Sequence, residues 1–388
     1  MKFVVVGSGG VGSVIAEDLG AAAGTKAVCI ADIDLASAQK VAIKIGAKAT
    51  ATRVDIYDAI GLAGLIKDYD VVVNVVGPYY KTAGPVLEAC IAEKVDYVDI
   101  ADDSAGVEKL MTYHDACREA GITAVFSHGA SPGLTNALGL HGANQMDEVQ
   151  DIHSSWVVGS TGEPIGPANI WHLLEMCSTT APQYLNGHWV EVPALSGREV
   201  LKFRDPLGEW PVYYVGHAEP ITLPRYIKGL QNVTNKGNLW PKDTDLISLA
   251  GPYNELGLSS TDTLKVGEFE ISKRDFASLN IINMLTESME GQAAEGEDVG
   301  ANIRVDVKGR IHGHAAHLVY TLATDMNDCT GFSASYAAQA VASGAISEKG
   351  IFPPEGLPDP KPLFDYLASK GINIYEEKTV EKQLDTRE

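Results

Sequence analysis

Between residue 3 and about residue 127 the chain repeats one pattern: a short apolar run, a polar turn, then a stretch whose apolar positions recur every three or four residues. The runs at 3–6, 26–31, 48–54, 70–76, 95–100 and 121–127 predict strands, since short apolar runs bounded by turn residues suit a sheet covered on both faces. Strands alternating with helical crossovers predict an α/β fold built on a doubly wound parallel sheet with right-handed connections. Asp34 is placed to cap a helix through Ile45, and Thr82, Gly84 and Pro85 open one that Lys94 ends.

After about residue 137 the pattern changes to alternation. Segments at 150–158, 188–192, 199–203, 211–215, 229–234, 302–308 and 314–322 predict a mixed or antiparallel sheet in an α+β domain. A helix over 273–287 opens at Ser272 and Asp275 and sets Phe276, Leu279, Ile282 and Leu285 at core spacing. The acidic stretch 291–300 reads as a solvated loop. An alanine-rich helix over 333–343, a proline-rich extended segment, a short helix over 363–369 and a mobile polar tail from Glu376 complete the chain.

Length and charge narrow the field. At 388 residues the chain is expected to form two domains, 1–136 and 137–325, followed by a C-terminal segment 326–388. A net charge of −21 opposes binding to nucleic acid or anionic lipid, and no apolar run is long enough to span a membrane. The first strand begins at once, which leaves no room for a secretory leader, so a cytoplasmic location is expected. The five cysteines are scattered without pairing, which argues for reduced thiols and against a disulfide framework or cysteine zinc site. His312, His314 and His317 have a spacing worth testing for metal, but no carboxylate or cysteine joins them in sequence, and no metal is expected.

The first strand ends in Gly7-Ser8-Gly9-Gly10-Val11-Gly12, where glycine permits the tight turn, the approach of a pyrophosphate and the packing of the next helix. That helix would point free N–H groups and its positive end at a diphosphate. Asp32 closes the second strand about twenty positions beyond Gly12, where a carboxylate accepts the ribose hydroxyls of a dinucleotide. Together these predict a Rossmann domain. A 2′-phosphate would meet Asp32 with like charge and Ile33 offers no cation, so NAD is favoured, with NADP possible through Arg53. Asp55 is placed to reach adenine, and Asn74, Val75, Gly77 and Pro78 the nicotinamide half.

The segments VVNVVGPYYKTAGPVLEACIAEKVDYVDIADD and SHGASPGLTNALG, with residues 217–237 and 330–355, resemble the saccharopine dehydrogenase family. The resemblance implies an NAD(P)-dependent oxidoreductase acting on the C–N bond of an amino acid or secondary amine, such as a saccharopine reductase or lysine 6-dehydrogenase. It implies too that the segment after 326 returns to the Rossmann domain; a second domain of this kind commonly carries a dimer surface, and a homodimer is expected. The active-site cysteine proposed for saccharopine reductases has no counterpart here at a matching strand end.

Such chemistry needs a group that exchanges the amine proton and a cationic pocket for a carboxylate. The strand ends offer Asp103, then His128 and Tyr79, as catalytic candidates, with Asp102, Tyr80, His217 and Arg225 as substrate-binding ones. Arg225 suits a carboxylate because its planar fork binds in two places. A non-catalytic NAD(H)-binding regulator, or a semialdehyde or hydroxy acid dehydrogenase, is the alternative.

Overall fold

The computed structural model describes residues 1–159, 167–240, 245–289 and 300–381, with the side chains of 167–169 and 285–289 outside that description. The expected loop over 291–299 and the side chain of Leu285 therefore lie outside the described residues. The chain opens as β1 (Lys2–Val6), α1 (Gly10–Ala21), β2 (Ala27–Asp32), α2 (Leu35–Ile45), β3 (Ala49–Arg53) and α3 (Ala59–Ile66). It continues with β4 (Val71–Asn74), α4 (Tyr79–Glu93), β5 (Asp96–Asp99), α5 (Ser104–Met111), α6 (His114–Ala120), β6 (Thr123–Val125) and α7 (Leu134–Ala143).

β1 shows why the sheet forms at the centre. Its alternate side chains face opposite ways, so Phe3 and Val5 pack with Ile15 and Leu19 of α1, while Val4 and Val6 pack with Leu62 of α3 and Leu87 of α4. Phe3, Val4, Val5 and Val6 are fully buried, each contributing roughly 1.5–3 kcal/mol.

The second part runs β7 (Glu148–Val158), α8 (Pro167–Met176), β8 (Thr180–Leu185), β9 (His188–Pro193), β10 (Glu199–Lys202), β11 (Glu209–Tyr214) and α9 (Glu219–Tyr226). There follow β12 (Asn232–Leu239), α10 (Leu246–Glu255), the hairpin β13 (Thr263–Val266) and β14 (Phe269–Ser272), α11 (Lys273–Met289), β15 (Ala301–Ile311) and β16 (His314–Thr324). These strands, apart from the hairpin, make a mixed nine-stranded sheet with β18, in which β12 and β7 are parallel and the other pairs antiparallel.

The last elements are α12 (Met326–Ala342), β17 (Gly350–Phe352), α13 (Lys361–Ser369) and β18 (Tyr375–Val380). β17 joins β6 in parallel and completes a seven-stranded sheet in the order β17-β6-β5-β4-β1-β2-β3. β18 pairs with β16, so the stretch from Glu376 is a strand through Val380 and not the expected mobile tail. A partner edge supplied the backbone hydrogen bonds that its polar sequence does not advertise.

α11 also differs from expectation. Ala277, Ser278 and Ile281 are its buried face, while Phe276 and Leu279 are 45% and 52% exposed. No helix among the described residues is long and apolar enough to cross a membrane.

Candidate active site

The glycine-rich turn has the shape its sequence implies. Gly7 has φ +108°, and a Cβ there would press on Val75 at 3.0 Å. A Cβ on Gly12 would lie 2.1 Å from the Gly7 carbonyl oxygen, so glycine alone lets α1 start this close to β1. At Gly9 a Cβ would meet nothing within 4 Å. The turn is thus open on the side where Gly10 and Val11 begin α1, whose N-cap Gly9 supplies no side-chain cap to the free N–H groups. An uncapped helix start beside an open glycine is a fit for a pyrophosphate.

Asp32 is held in place by hydrogen bonds. Its Oδ2 accepts from Ser8 N and Ser8 Oγ, each at 2.7 Å, and its Oδ1 from Asp34 N at 2.9 Å. Ile33 beside it is 59% exposed at the rim. Asp55 is exposed and holds a turn by accepting from Tyr57 N at 3.0 Å.

Asn74 departs from expectation: its side chain is fully buried, donating to Tyr97 Oη at 3.3 Å and accepting from Val76 N at 3.2 Å. It therefore braces the loop of Val75, Gly77 and Pro78 and is not free to face a nicotinamide. Thr82 ties the same loop to α4, donating to the carbonyls of Val76 and Pro78.

Asp103 is likewise taken up by backbone. It is the N-cap of α5, with Oδ1 accepting from Gly106 N at 2.6 Å and Oδ2 from Tyr80 N at 3.0 Å, so it joins the starts of α5 and α4. Burial, with help from the charge of Asp102, pushes its carboxyl up to about 6. Tyr79 begins α4 and is buried. Its hydroxyl is held well above its ordinary range by that burial and by the carboxylates of Asp102, Asp99 and Asp103, so it stays protonated.

Asp102 is the carboxylate that reaches other functional groups. Its Oδ2 lies 3.2 Å from His172 Nε2 on α8, and burial raises it to about 6 although His217 pulls the other way. Burial and the charge of His217 lower His172 to about 4, which leaves its imidazole neutral near pH 7.

His217 Nδ1 meets Glu219 Oε2 at 2.7 Å. Glu219 is fully buried and also accepts from Ser131 Oγ at 2.6 Å and Thr135 Oγ1 at 2.8 Å. Despite burial, each partner favours the charged form of the other, so His217 is raised and Glu219 lowered. The ligand-capable atoms of Asp102, His172 and His217 lie within 4.8 Å of one another, close enough to share a proton or a cation.

His128 is buried against Tyr336, and burial drops it to about 4. Its Nδ1 has no hydrogen-bond partner among the described residues. The structure does not bring Arg225 to this cluster: it is exposed at the end of α9, stacked over Trp189 at 4.7 Å, and donates to the Ile221 carbonyl. Arg274 of α11 is the arginine near it, 3.8 Å from Glu175 and 4.4 Å from the Trp171 ring. Tyr80 stacks on the same ring at 5.0 Å.

Trp171, His172, Glu175 and Arg274 were not found from sequence. His317 is engaged by Asp306 at 2.7 Å across the β15–β16 hairpin, a carboxylate that linear spacing did not bring near. All five cysteines are buried, and burial raises the thiols of Cys90, Cys117, Cys177 and Cys329.

A doubly wound parallel sheet, an open glycine turn backed by a braced acid, and titratable groups gathered over β5 define a nicotinamide-dependent dehydrogenase. Residues 3–125 match the saccharopine dehydrogenase NADP binding domain, and residues 129–372 the saccharopine dehydrogenase C-terminal domain. The chain belongs to the saccharopine dehydrogenase family.

It is 23% identical over 400 residues to a carboxyaminopropylagmatine dehydrogenase of Synechocystis sp., covering 97% of each chain. It is 26% identical over 409 residues to a carboxynorspermidine synthase of Vibrio cholerae, covering 96% of each. Saccharopine dehydrogenase (L-Glu forming) of Saccharomyces cerevisiae shares the fold with a TM-score of 0.70 and 16% identity, over 97% of this chain and 99% of that one. So does a homospermidine synthase of Legionella pneumophila solved with NAD, at 0.57 and 16%, over 100% of this chain and 95% of that one.

Proposed function

We propose that the protein transfers a hydride between NAD and the carbon of a substrate C–N bond, oxidising an amine or amino acid or reducing the corresponding imine. The observation that supports this best is the line Asp102–His172–His217–Glu219 at the carboxyl end of β5, on the side where a nicotinamide belongs. When bound, the nicotinamide supplies the hydride donor or acceptor.

The residues would manage the proton. An ammonium must lose its proton before the adjacent carbon can release hydride, and His172, paired with Asp102 at 3.2 Å, is the group placed to accept it. Asp102 orients it and offsets the positive charge that forms on the imidazole, while Glu219 fixes His217 beside them. The raised thiols speak against a semialdehyde mechanism, which needs a nucleophilic cysteine.

The test is purified protein with NAD and a panel of amino acids and secondary amines, read at the NADH absorbance. The relatives' names put carboxyl-bearing amines first in that panel. Reduction of NAD by a member is expected; silence across the panel with NADH still bound would turn the reading toward a non-catalytic regulator.

For the cofactor we propose NAD over NADP, supported by the position of the Asp32 carboxylate. Arg53 is its register partner on β3 and could answer a 2′-phosphate, so titrations of NADH and NADPH followed by fluorescence decide between them. Tighter NADPH binding would overturn the choice. We propose a homodimer as the assembly, since Phe269, Phe276 and Leu279 leave apolar surface exposed around α11. Light scattering should give twice 41.3 kDa, and a monomer at micromolar concentration would reject it.

A further inference from the structure

Asp102, His172 and His217 come from three separate places, the link between β5 and α5, helix α8 and the turn before α9, so no spacing in the sequence records their meeting. Asp102 Oδ2 and His172 Nε2 are 3.2 Å apart. Two atoms bound to one zinc ion at about 2.0–2.1 Å in tetrahedral geometry stand about 3.3 Å apart. A hydrogen bond also has that length, so the third group decides: a ligand atom of His217 lies within 4.8 Å of both.

His217 is 3% exposed, and Glu219 Oε2 holds its Nδ1 at 2.7 Å, which leaves Nε2 as the nitrogen for a ligand. Glu219 is fixed in turn by the hydroxyls of Ser131 and Thr135. A carboxylate behind an imidazole sets the ring's orientation and makes its other nitrogen a better metal ligand. The Asp102 and His172 side chains are 27% and 18% exposed, so an ion has a way in from solvent. Two imidazoles and one carboxylate suit zinc and similar transition ions, whereas magnesium and calcium prefer sites made of oxygen alone.

We propose that Asp102, His172 and His217 form a reversible zinc site, and that zinc bound there switches off the dehydrogenase. The switch rests on the reaction proposed above, in which His172 accepts the proton of the substrate amine. An ion on His172 Nε2 and the Asp102 carboxylate takes both groups out of proton exchange. It also sets positive charge where a cationic amine must approach, so zinc and amine exclude each other. The dinucleotide is held elsewhere, at the glycine turn and Asp32, and stays bound.

Calorimetric titration of zinc into the full chain, freed of metal by a chelator, tests the site without turnover. One ion per chain should bind at about micromolar concentration or tighter, and cobalt(II) in its place should give the visible absorption of a four-coordinate centre. His172→Gln and His217→Gln should each weaken zinc about a hundredfold, and Glu219→Gln, which touches no metal, about 10–100-fold. His172 is partly exposed, so His172→Gln carries the test even where the buried His217→Gln fails to fold. In the amine assay, zinc should raise the apparent KM for the amine, leave that for NAD within about twofold, and be reversed by chelator.

No binding at micromolar zinc, or binding at full affinity in His172→Gln, overturns the site. Zinc that binds there but raises turnover, or competes with NAD, overturns the switch. Zinc binding that His172→Gln abolishes, together with silence across the whole amine panel, would leave the site standing and count against the proposed reaction alone.

Discussion

Asp103 and Asp102 are neighbours at one strand end, yet backbone geometry gives them different work. Helix α5 begins at Ser104, so its start recruits the residue just before it as a cap, and Asp102 is left to pair with His172. Replacing Asp103 by Asn should therefore cost about 1 kcal/mol of stability through the weakened cap, with kcat kept within a few fold. His172→Gln should instead lower kcat by roughly a hundredfold or more with the melting temperature nearly unchanged. Steady-state kinetics and thermal melts on the two variants separate the roles; a large kcat loss for Asp103→Asn would return the proton to that residue. The strand-end candidates were legible because a parallel sheet puts the residues after each strand on one rim. His172, Glu175 and Arg274 were not, because α8 and α11 approach that rim from far along the chain, and no local spacing records such an approach.

At the scale of elements, the nucleotide sheet was readable because each β1-type strand is buried on both faces, which forces a continuous apolar run. The same logic failed for α11, where Phe276 and Leu279 have core spacing but face outward. Apolar periodicity reports a face that is covered, without saying whether the cover is the same chain. α12 offers a sharper test of packing. It crosses α1 where Gly331 meets Val14, and a Cβ on Gly331 would lie 2.6 Å from Val14 Cγ1. Gly331→Val should destabilise by about 1–3 kcal/mol, since α12 must move off α1. An unchanged melting temperature would mean that the two helices are not held this closely.

Across the whole molecule, buried charge sets the response to pH. Burial raises Glu175 and Glu355 to about 7, from 4.5. Between about pH 4.5 and 7 the unfolded chain has these carboxylates ionised while the folded one still holds their protons, so raising the pH through about 7 favours unfolding. His217, raised by Glu219, acts in the same direction: its stabilisation is full below 6.5 and is lost as pH rises through its folded value. His128 and His172, lowered to about 4, oppose this trend only below 6.5. The melting temperature of the ligand-free protein should thus fall from pH 6.5 to 8, as scanning fluorimetry would show, and a rise would contradict the burial of these acids.

The seventh strand of the nucleotide sheet also bears on how the protein is made. β1 is made before the other strands of this sheet and lies inside it between β4 and β2, whereas β17, which covers the β6 edge, arrives only with residues 350–352. At about 5–20 residues per second, that edge waits roughly ten seconds or more after β6 emerges while the whole second sheet is synthesised. During this interval the nascent chain exposes an open parallel edge, so the order of synthesis runs against the order of pairing, and nascent-chain crowding or a slowed ribosome would expose this protein to strand exchange between copies.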